Sequence, residues 1–192
     1  LFYFSKWPSR TSFKNQYYLM KLKKYQLQRT KSTNDVAVKK IKAGINNGIV
    51  ITETQTKGRG QYGNKWISFK GNLLMSIFFE VKNNTSLRRL TIKNCQIIKQ
   101  SVQKLTKYKI KIKPPNDLLI NKEKICGILQ ETLFFNQKKF LIVGIGLNLV
   151  KSPKIKNYYT NYLNNYASKK VSKLMAFRSI KDLYEKKIKY LK

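Results

Sequence analysis

Residues 118–150, LLINKEKICGILQETLFFNQKKFLIVGIGLNLV, contain three apolar segments separated by short polar stretches. The segments 118–120, 125–135 and 140–150 are rich in the β-branched and aromatic residues that favour strands. The polar stretches between them are typical of turns. This part of the chain therefore predicts a meander of β-strands.

The sequence on both sides of the meander adds more strands and three helices. Apolar runs and strict alternation predict four further strands, over 25–29, 49–52, 73–79 and 109–113. Apolar residues at helical spacing predict helices over 35–43, 87–105 and 174–188. Because the strands cluster and helices stand at both ends of the chain, we expect an α+β fold, with a mixed, largely antiparallel β-sheet and helices packed on one face.

The composition restricts the chemistry of the protein. Its 192 residues include no histidine, so sites that pair serine or cysteine with histidine are excluded. Cys95 and Cys126 lack the paired spacing of a disulfide framework, which favours a reducing, cytoplasmic location. No apolar run approaches the roughly 20 residues that cross a bilayer, so no membrane partner is expected.

The charge is strongly one-sided, because 41 Lys and Arg stand against 8 Asp and Glu, a net charge of +33. Two interpretations stay open. Lysines can neutralise the phosphates of a nucleic acid, but here they are accompanied throughout by abundant Asn, Ile and Tyr, which is typical of a compositional bias. Both interpretations predict a surface that attracts acidic partners.

We expect one folded domain over residues 25–192, preceded by a poorly ordered extension over residues 1–24. The chain opens with Leu1 and carries no carboxylate before Asp35, a weak resemblance to a transit peptide. A fragment boundary or translated upstream sequence is the favoured interpretation of this opening.

The segment GRGQYGNKW, residues 58–66, follows a predicted strand and carries three glycines in six residues. Glycines allow backbone N–H groups to turn toward an anion, Arg59 and Lys65 add positive charge, and Trp66 offers a flat aromatic face. The segment predicts a loop that wraps a phosphate. A flexible hairpin loop is the alternative.

Three further motifs have a functional and a structural interpretation each. Lys113 ends a strand before two prolines and is rigidly presented, while Asn116 and Asp117 offer oxygen ligands suited to Mg²⁺; the alternative is a simple turn. Glycines in GIGLN, residues 144–148, indicate close packing on the backbone or a β-bulge. The STN triplet at 32–34 is typical of a helix cap.

In order and approximate spacing, these motifs resemble those of biotin protein ligases. KICGILQE, residues 124–131, completes the set, and the resemblance runs from about residue 29 to residue 150. It implies the fold of the ligase catalytic domain, related to class II aminoacyl-tRNA synthetases. Neither the winged-helix DNA-binding domain of repressor-type members nor a specific DNA partner is expected, and the C-terminal β-barrel of many members is expected to be absent or truncated.

The resemblance implies an ATP-dependent, AMP-forming ligase. Members of this family join biotin to ATP, giving biotinyl-5′-AMP and pyrophosphate, and then transfer biotin to one lysine of a biotin carboxyl carrier protein or domain of a carboxylase. The implied small molecules are ATP, Mg²⁺ and biotin. The enzyme is expected to be a monomer or a weak homodimer.

The resemblance also assigns roles to individual residues. It implies catalytic roles for Lys113, Arg59 and Asp117, with Asp117 as the candidate acceptor of the carrier lysine's proton. The implied biotin-binding residues are Ser32, Thr33, Asn34, Gln55, Gly58, Arg59, Gly127 and Gly144. Those implied for ATP and the adenylate are Arg59, Gly60, Gln61, Trp66, Lys113, Asn116 and Asn148. No metal is expected beyond Mg²⁺ that arrives with ATP, for which Asn116 and Asp117 are candidate ligands. Gly127, Gly144 and Gly146 are implied to line a slot for the biotin ring and its arm, with Trp66 and Asn148 on the adenine side.

The chain departs from the family pattern at three places. Gln61 and Asn64 stand where the most familiar members carry arginines, which predicts faster release of the adenylate, and Pro114 replaces a tryptophan. A lipoate or octanoate ligase shares the fold and the lysine-acylating chemistry, and is the nearest alternative. A basic RNA-binding protein is the alternative from another class.

Overall fold

The computed structural model of the protein describes residues 20–156 and 158–191. Within them it has seven strands and three α-helices, so the predicted α+β class is confirmed. The strands are β1 (Lys24–Thr30), β2 (Asn47–Gln55), β3 (Leu73–Val81), β4 (Lys111–Lys113), β5 (Asp117–Ile120), β6 (Glu123–Phe135) and β7 (Lys138–Leu147). The helices are α1 (Thr33–Lys42), α2 (Leu87–Gln103) and α3 (Lys173–Lys187).

The seven strands form one mixed sheet in the order β1-β2-β3-β7-β6-β5-β4. β1 runs parallel to β2, and every other neighbouring pair is antiparallel. The predicted meander is confirmed as β5-β6-β7, joined by two-residue turns at 121–122 and 136–137. The four turn residues have φ between 47° and 66°, the left-handed backbone that suits the twist of a tight hairpin.

The helices are divided between the two faces of the sheet, and the expectation of helices on one face was wrong. Successive side chains of β3 point to opposite faces, so Met75 and Ile77 join the core under α2 and α3, whereas Phe78 joins a second core under α1. Ala37 and Ile41 of α1 complete that second core. The central strands are apolar on both faces, and each face therefore needs a cover.

The folded part begins before residue 25, which corrects the predicted extension. Leu22 is buried in the main core, and its N–H donates to Glu185 Oε1 at 2.7 Å, beside α3. The remainder of the predicted extension, residues 1–19, lies outside the described residues. No helix in the described part of the chain is long and apolar enough to cross a membrane.

Candidate active site

A cavity of about 600 Å³ lies on the face of the sheet that carries α1. Its walls come from the N-terminus of α1, the loop after β2, the turn between β4 and β5, and the facing parts of β6 and β7. Arg59 and Lys113 line this same space. Of the residues predicted to form the site, Gly58 is the one that does not line the cavity.

A chain of polar groups closes the α1 end of the cavity. The backbone N–H and the hydroxyl of Thr33 both donate to Gln55 Oε1, at 2.8 and 3.0 Å. The buried Ser76 hydroxyl lies 2.7 Å from Thr33 Oγ1 and 2.5 Å from Asn34 Oδ1. Ser32 takes the N-cap position of α1, but its side chain caps no backbone N–H, so the predicted capping bond is not formed.

Ser76 was not among the predicted residues. It is a single hydroxyl within the apolar run of β3, and that interruption is the signal that could have identified it. A buried hydroxyl in such a strand needs a partner, and here the partners are the polar groups of α1. The cluster therefore ties the central strand of the sheet to the helix N-terminus.

Arg59 fastens the glycine-bearing loop to the rest of the site. Its NH1 lies 2.8 Å from Asp35 Oδ1, and its NH2 lies 3.1 Å from Glu131 Oε1. Although partial burial lowers the pKa of Arg59, its bond to Asp35 and the charge of Glu131 raise the pKa above its ordinary value. Glu131 Oε2 also accepts from Asn34 Nδ2 at 2.7 Å, so one carboxylate holds both the loop and the polar cluster.

The loop itself is a compact hairpin. Gly60 N–H donates to Asn64 O at 2.7 Å, and Trp66 N–H donates to Gly58 O at 2.9 Å. A Cβ at Gly58 would lie 2.6 Å from the Trp66 carbonyl oxygen, so the strands of the hairpin approach too closely there for any side chain. At its tip Tyr62 has φ 54° and is 92% exposed, leaving its ring free at the cavity mouth.

Trp66 occupies the slot that the strand glycines create. A Cβ on Gly146 would lie 2.3 Å from Trp66 Cε2, and one on Gly127 would lie 2.6 Å from Trp66 Cζ3. The third strand glycine, Gly144, faces the Asn34 amide instead, with Oδ1 2.7 Å from the position of its Cβ. The buried indole Nε1 of Trp66 has no hydrogen-bond partner. Two of the three glycines implied to bound a biotin slot thus admit an indole ring.

Lys113 reaches the opposite end of the cavity. Its Nζ lies 4.3 Å from the centroid of the Tyr158 ring. Asp117 stands opposite Lys113 in the β4–β5 pairing, with Oδ1 2.8 Å from Lys124 Nζ and Oδ2 accepting from the Tyr158 hydroxyl at 2.6 Å. Neither Lys124 nor Tyr158 was among the predicted site residues, and Tyr158 lies in a loop with no motif around it.

Asn116 and Asn148 line the cavity, but their side chains are already bonded to the protein. Asn116 Nδ2 donates to Ile128 O at 2.9 Å. Asn148 Nδ2 donates to Asn161 O at 3.2 Å, and its Oδ1 accepts from Asn72 Nδ2 at 3.4 Å. These contacts give both amides a structural role in the cavity wall, and a role toward the nucleotide stays a prediction.

The donors at this end of the cavity do not fit a resident metal ion. The Asp117 carboxylate is already paired, because Lys124 Nζ lies 2.8 Å from Oδ1 and the Tyr158 hydroxyl donates to Oδ2. The bond of Asn116 to β6 uses its Nδ2 and not its oxygen. Within residues 20–156 and 158–191, no three His, Cys, Asp or Glu side chains are grouped to hold a metal. The pairing of Asp117 with Lys124 therefore does not support this carboxylate as a Mg²⁺ ligand, and a metal role for Asn116 stays a prediction.

Comparison with known proteins matches residues 26–148 to the Biotin/lipoate A/B protein ligase family. The chain belongs to this family. The match runs from β1 to the residue that follows β7, and it includes most of the residues that line the cavity.

Two curated family members and one solved structure give the nearer relationships. Biotin–protein ligase 1, chloroplastic, of Arabidopsis thaliana is 31% identical over 127 residues, which are 63% of this chain and 35% of that protein. The bifunctional ligase/repressor BirA of Escherichia coli is 31% identical over 121 residues, which are 62% of this chain and 38% of that protein. Biotin protein ligase from Leishmania major, solved in complex with biotinyl-5-AMP, matches with a TM-score of 0.73 and 25% identity, over 85% of this chain and 73% of that one.

Within the ligase family, these relationships confirm the predicted resemblance to the catalytic domain of biotin protein ligases. The predicted fold, a mixed sheet with helices, is the fold of the solved Leishmania major ligase. The chain spans 35% and 38% of the length of the two curated family members.

Proposed function

We propose that this chain is a biotin protein ligase that makes biotinyl-5′-AMP from biotin and ATP and transfers biotin to a lysine of a biotin carboxyl carrier protein. The observation that carries this proposal is the single cavity of about 600 Å³ shared by Lys113, Arg59 and the Thr33–Gln55 pair. That volume is typical of small-molecule sites. The cavity combines a cationic end with a polar end, and the Trp66 indole lines its wall between the strand glycines, which suits an acid-bearing ring and a nucleotide.

In the first step, a carboxylate oxygen of biotin attacks the α-phosphorus of ATP, and pyrophosphate leaves. The two reacting groups are anions that repel each other, so fixed cations are the chief requirement, and no proton has to move. Lys113, Lys124 and Lys65 all line the cavity and supply the fixed positive charges. The lack of histidine is therefore no obstacle to this chemistry. Mg²⁺ enters as part of the Mg-ATP substrate and neutralises phosphate charge there.

The polar cluster at the α1 end suits the head group of biotin. A ureido group is neutral and carries two N–H donors and one carbonyl acceptor, so it is read by donors and acceptors held at fixed positions. Thr33 and Gln55 offer both kinds of group, and the buried Ser76 hydroxyl donates to Thr33 and Asn34 and so holds α1 in place. We assign biotin recognition to this cluster, with Ser32 and Asn34 beside it.

In the second step, the amine of the carrier lysine attacks the biotinyl carbonyl carbon, AMP leaves with its phosphate oxygen, and the nitrogen loses a proton to solvent water. The predicted acceptor of that proton was Asp117. Because Lys124 forms an ion pair with this carboxylate and Tyr158 donates to it, we assign Asp117 a positioning role instead.

The test is a reconstituted reaction with Mg-ATP, labelled biotin and a purified carrier domain. We expect label on one carrier lysine, and about a hundredfold or greater loss in Lys113→Ala, since a cation at the reacting centre is removed. Lys111→Ala is the matched control, because Lys111 is exposed on the same strand and does not line the cavity. Labelled lipoate and octanoate are run in parallel. Modification of a carrier with either of these, and none with biotin, would contradict the proposal.

A further inference from the structure

The position of Lys113 in the cavity depends on what holds its ammonium group. The residue ends β4, a strand of three residues at the edge of the sheet, and its side chain is exposed. A lysine stem has four flexible carbons, so an unrestrained ammonium group spreads over many positions. Among the ion pairs of the described residues, none involves Lys113.

The ring of Tyr158 is the group that faces this ammonium. Nζ of Lys113 lies 4.3 Å from the ring centroid, within the distance at which a cation is attracted to the face of an aromatic ring. Tyr158 also lines the cavity, so the contact holds the ammonium inside it.

Tyr158 is itself fixed at its hydroxyl end. The hydroxyl donates to Asp117 Oδ2 at 2.6 Å, and Asp117 Oδ1 is held by Lys124 Nζ at 2.8 Å. Burial and the bond to Asp117 raise the pKa of Tyr158 above its ordinary value, so the phenol keeps its proton and stays a donor.

The loop that carries Tyr158 is fastened by its backbone. Lys124 N–H donates to Tyr159 O, and Lys124 O accepts from Asn161 N–H, both at 2.9 Å. The start of β6 therefore grips the chain just after Tyr158 through two backbone bonds, in addition to the side-chain pair of Lys124 and Asp117.

We propose that Tyr158 is a positioning residue for Lys113, and that the face of its ring, locked by Asp117 and Lys124, holds the ammonium group where the reacting anions meet. The catalytic role of this contact rests on the proposed function. The contact between Lys113 and the Tyr158 ring does not depend on it. Replacing the ring by an aliphatic side chain frees the ammonium without touching the Thr33–Gln55 cluster. The chemical step should therefore slow while biotin binding stays intact.

The kinetic test compares Tyr158→Leu, Tyr158→Phe and Tyr159→Leu with the unaltered chain. For Tyr158→Leu we expect the kcat of biotinyl-AMP formation to fall about two- to tenfold, with the KM for biotin unchanged. Tyr158→Phe keeps the ring and should restore most of the rate. Tyr159 is 79% exposed and does not line the cavity, so Tyr159→Leu should match the unaltered chain. Equal losses in the Leu and Phe variants, or a change in KM alone, would overturn the proposal.

A second measurement is independent of biotin chemistry. Acetic anhydride modifies free amines, and mass spectrometry gives the rate at Lys113 relative to Lys111, the exposed lysine on the same strand. We expect this ratio to rise about two- to tenfold in Tyr158→Leu and to stay level in Tyr158→Phe and Tyr159→Leu. A level ratio in Tyr158→Leu would overturn the proposal.

The two measurements separate failure of the proposal from failure of the proposed function. If the unaltered chain forms no biotinyl-AMP, the proposed function is wrong, and the labelling ratio still decides where Lys113 is held. Thermal unfolding verifies that each variant folds. If Tyr158→Leu does not fold, Tyr158→Met, which is apolar and unbranched, takes its place in both measurements with the same expected results.

Discussion

Arg59 and Lys113 line one cavity but are held in different ways. Arg59 shares its charge with Asp35 and Glu131, so most of its hydrogen-bonding capacity goes to the protein. Lys113 meets an aromatic face, which restrains the ammonium group without neutralising it. The arginine therefore acts mainly as a clasp for the loop, and the lysine keeps its charge for a bound anion.

The slot over the strand glycines gives the first prediction. In Gly146→Ala the new methyl would meet Trp66 Cε2 at 2.3 Å, so the indole has to leave the slot. With Trp7 replaced by Phe, Trp66 is the sole tryptophan, and we expect its fluorescence emission to shift to longer wavelength as water reaches the ring. Biotinyl-AMP formation should fall in the same variant. An emission maximum that does not move would show that the sheet yields instead of the indole.

The acid sensitivity of the fold gives a second prediction, at Glu123. Hydrogen bonds from Asn161 and Tyr166 hold the pKa of Glu123 below its ordinary value of 4.5. A carboxyl with a lowered pKa in the folded state stabilises the fold above that ordinary value, and the contribution is lost as the pH falls through the folded-state pKa. Glu123→Gln keeps an acceptor but cannot titrate. We expect its unfolding temperature to fall less than that of the unaltered chain between pH 7 and about pH 3.5, as measured by circular dichroism; equal falls would contradict this.

Local motifs were enough to predict most of the residues that line the cavity, because each motif carries its own chemical signal. Tyr158 had no such signal, since its importance comes from a ring that meets Lys113 across the cavity. Asp117 was predicted, but its engagement by Lys124 and Tyr158 depends on how β5, β6 and a distant loop meet. Contacts of that kind are set by tertiary packing and leave no pattern in neighbouring residues.

At the scale of elements, the glycine-bearing loop is fixed to α1 and β6 through Arg59 alone among its described ion pairs. We expect Glu131→Gln to loosen the loop and to raise trypsin cleavage within residues 57–65 about threefold, because a charged pair of this exposure contributes less than 1 kcal/mol. Glu80→Gln is the matched control, since it breaks the exposed Lys138–Glu80 pair far from the loop. Peptide mapping by mass spectrometry locates the cleavage sites. Equal cleavage in the two variants would contradict the role of the Arg59–Glu131 pair in restraining the loop.

The periodicity of the sequence predicted the helices and strands. It predicted only part of their arrangement in space. Every residue of β3 except Ser76 and Glu80 is apolar, a pattern typical of a strand covered on both faces, and it is the signal that α1 lies opposite α2 and α3. The order of the strands could not be predicted, because β3 pairs with β7 across more than fifty residues of chain. Such pairing depends on complementary surfaces and not on local propensity.

At the scale of the whole molecule, most of the few carboxylates form ion pairs with lysines or arginines of the same chain. Seven of the eight Asp and Glu side chains lie within 4.0 Å of a Lys or Arg nitrogen. The segments 56–70 and 150–160, which both contribute to the cavity wall, together carry seven Lys and Arg and no carboxylate. These two segments therefore give the approach to the cavity a net positive charge, although Asp35 and Glu131 pair with Arg59 there and Asp117 lies in the wall.

This charge gives the last prediction, which separates the two steps of the proposed reaction. Attraction between the basic rim and an acidic carrier domain acts over about 10 Å at 0.1 M salt and weakens as salt is added. We expect transfer to the carrier to slow about tenfold between 50 and 300 mM NaCl, in the range typical of steered association. Transfer of biotin from the adenylate to hydroxylamine, a small neutral acceptor, should change much less, because it does not depend on long-range attraction. Equal salt dependence for the two acceptors would mean that the charge of the chain has no part in carrier recognition, and would leave compositional bias as its explanation.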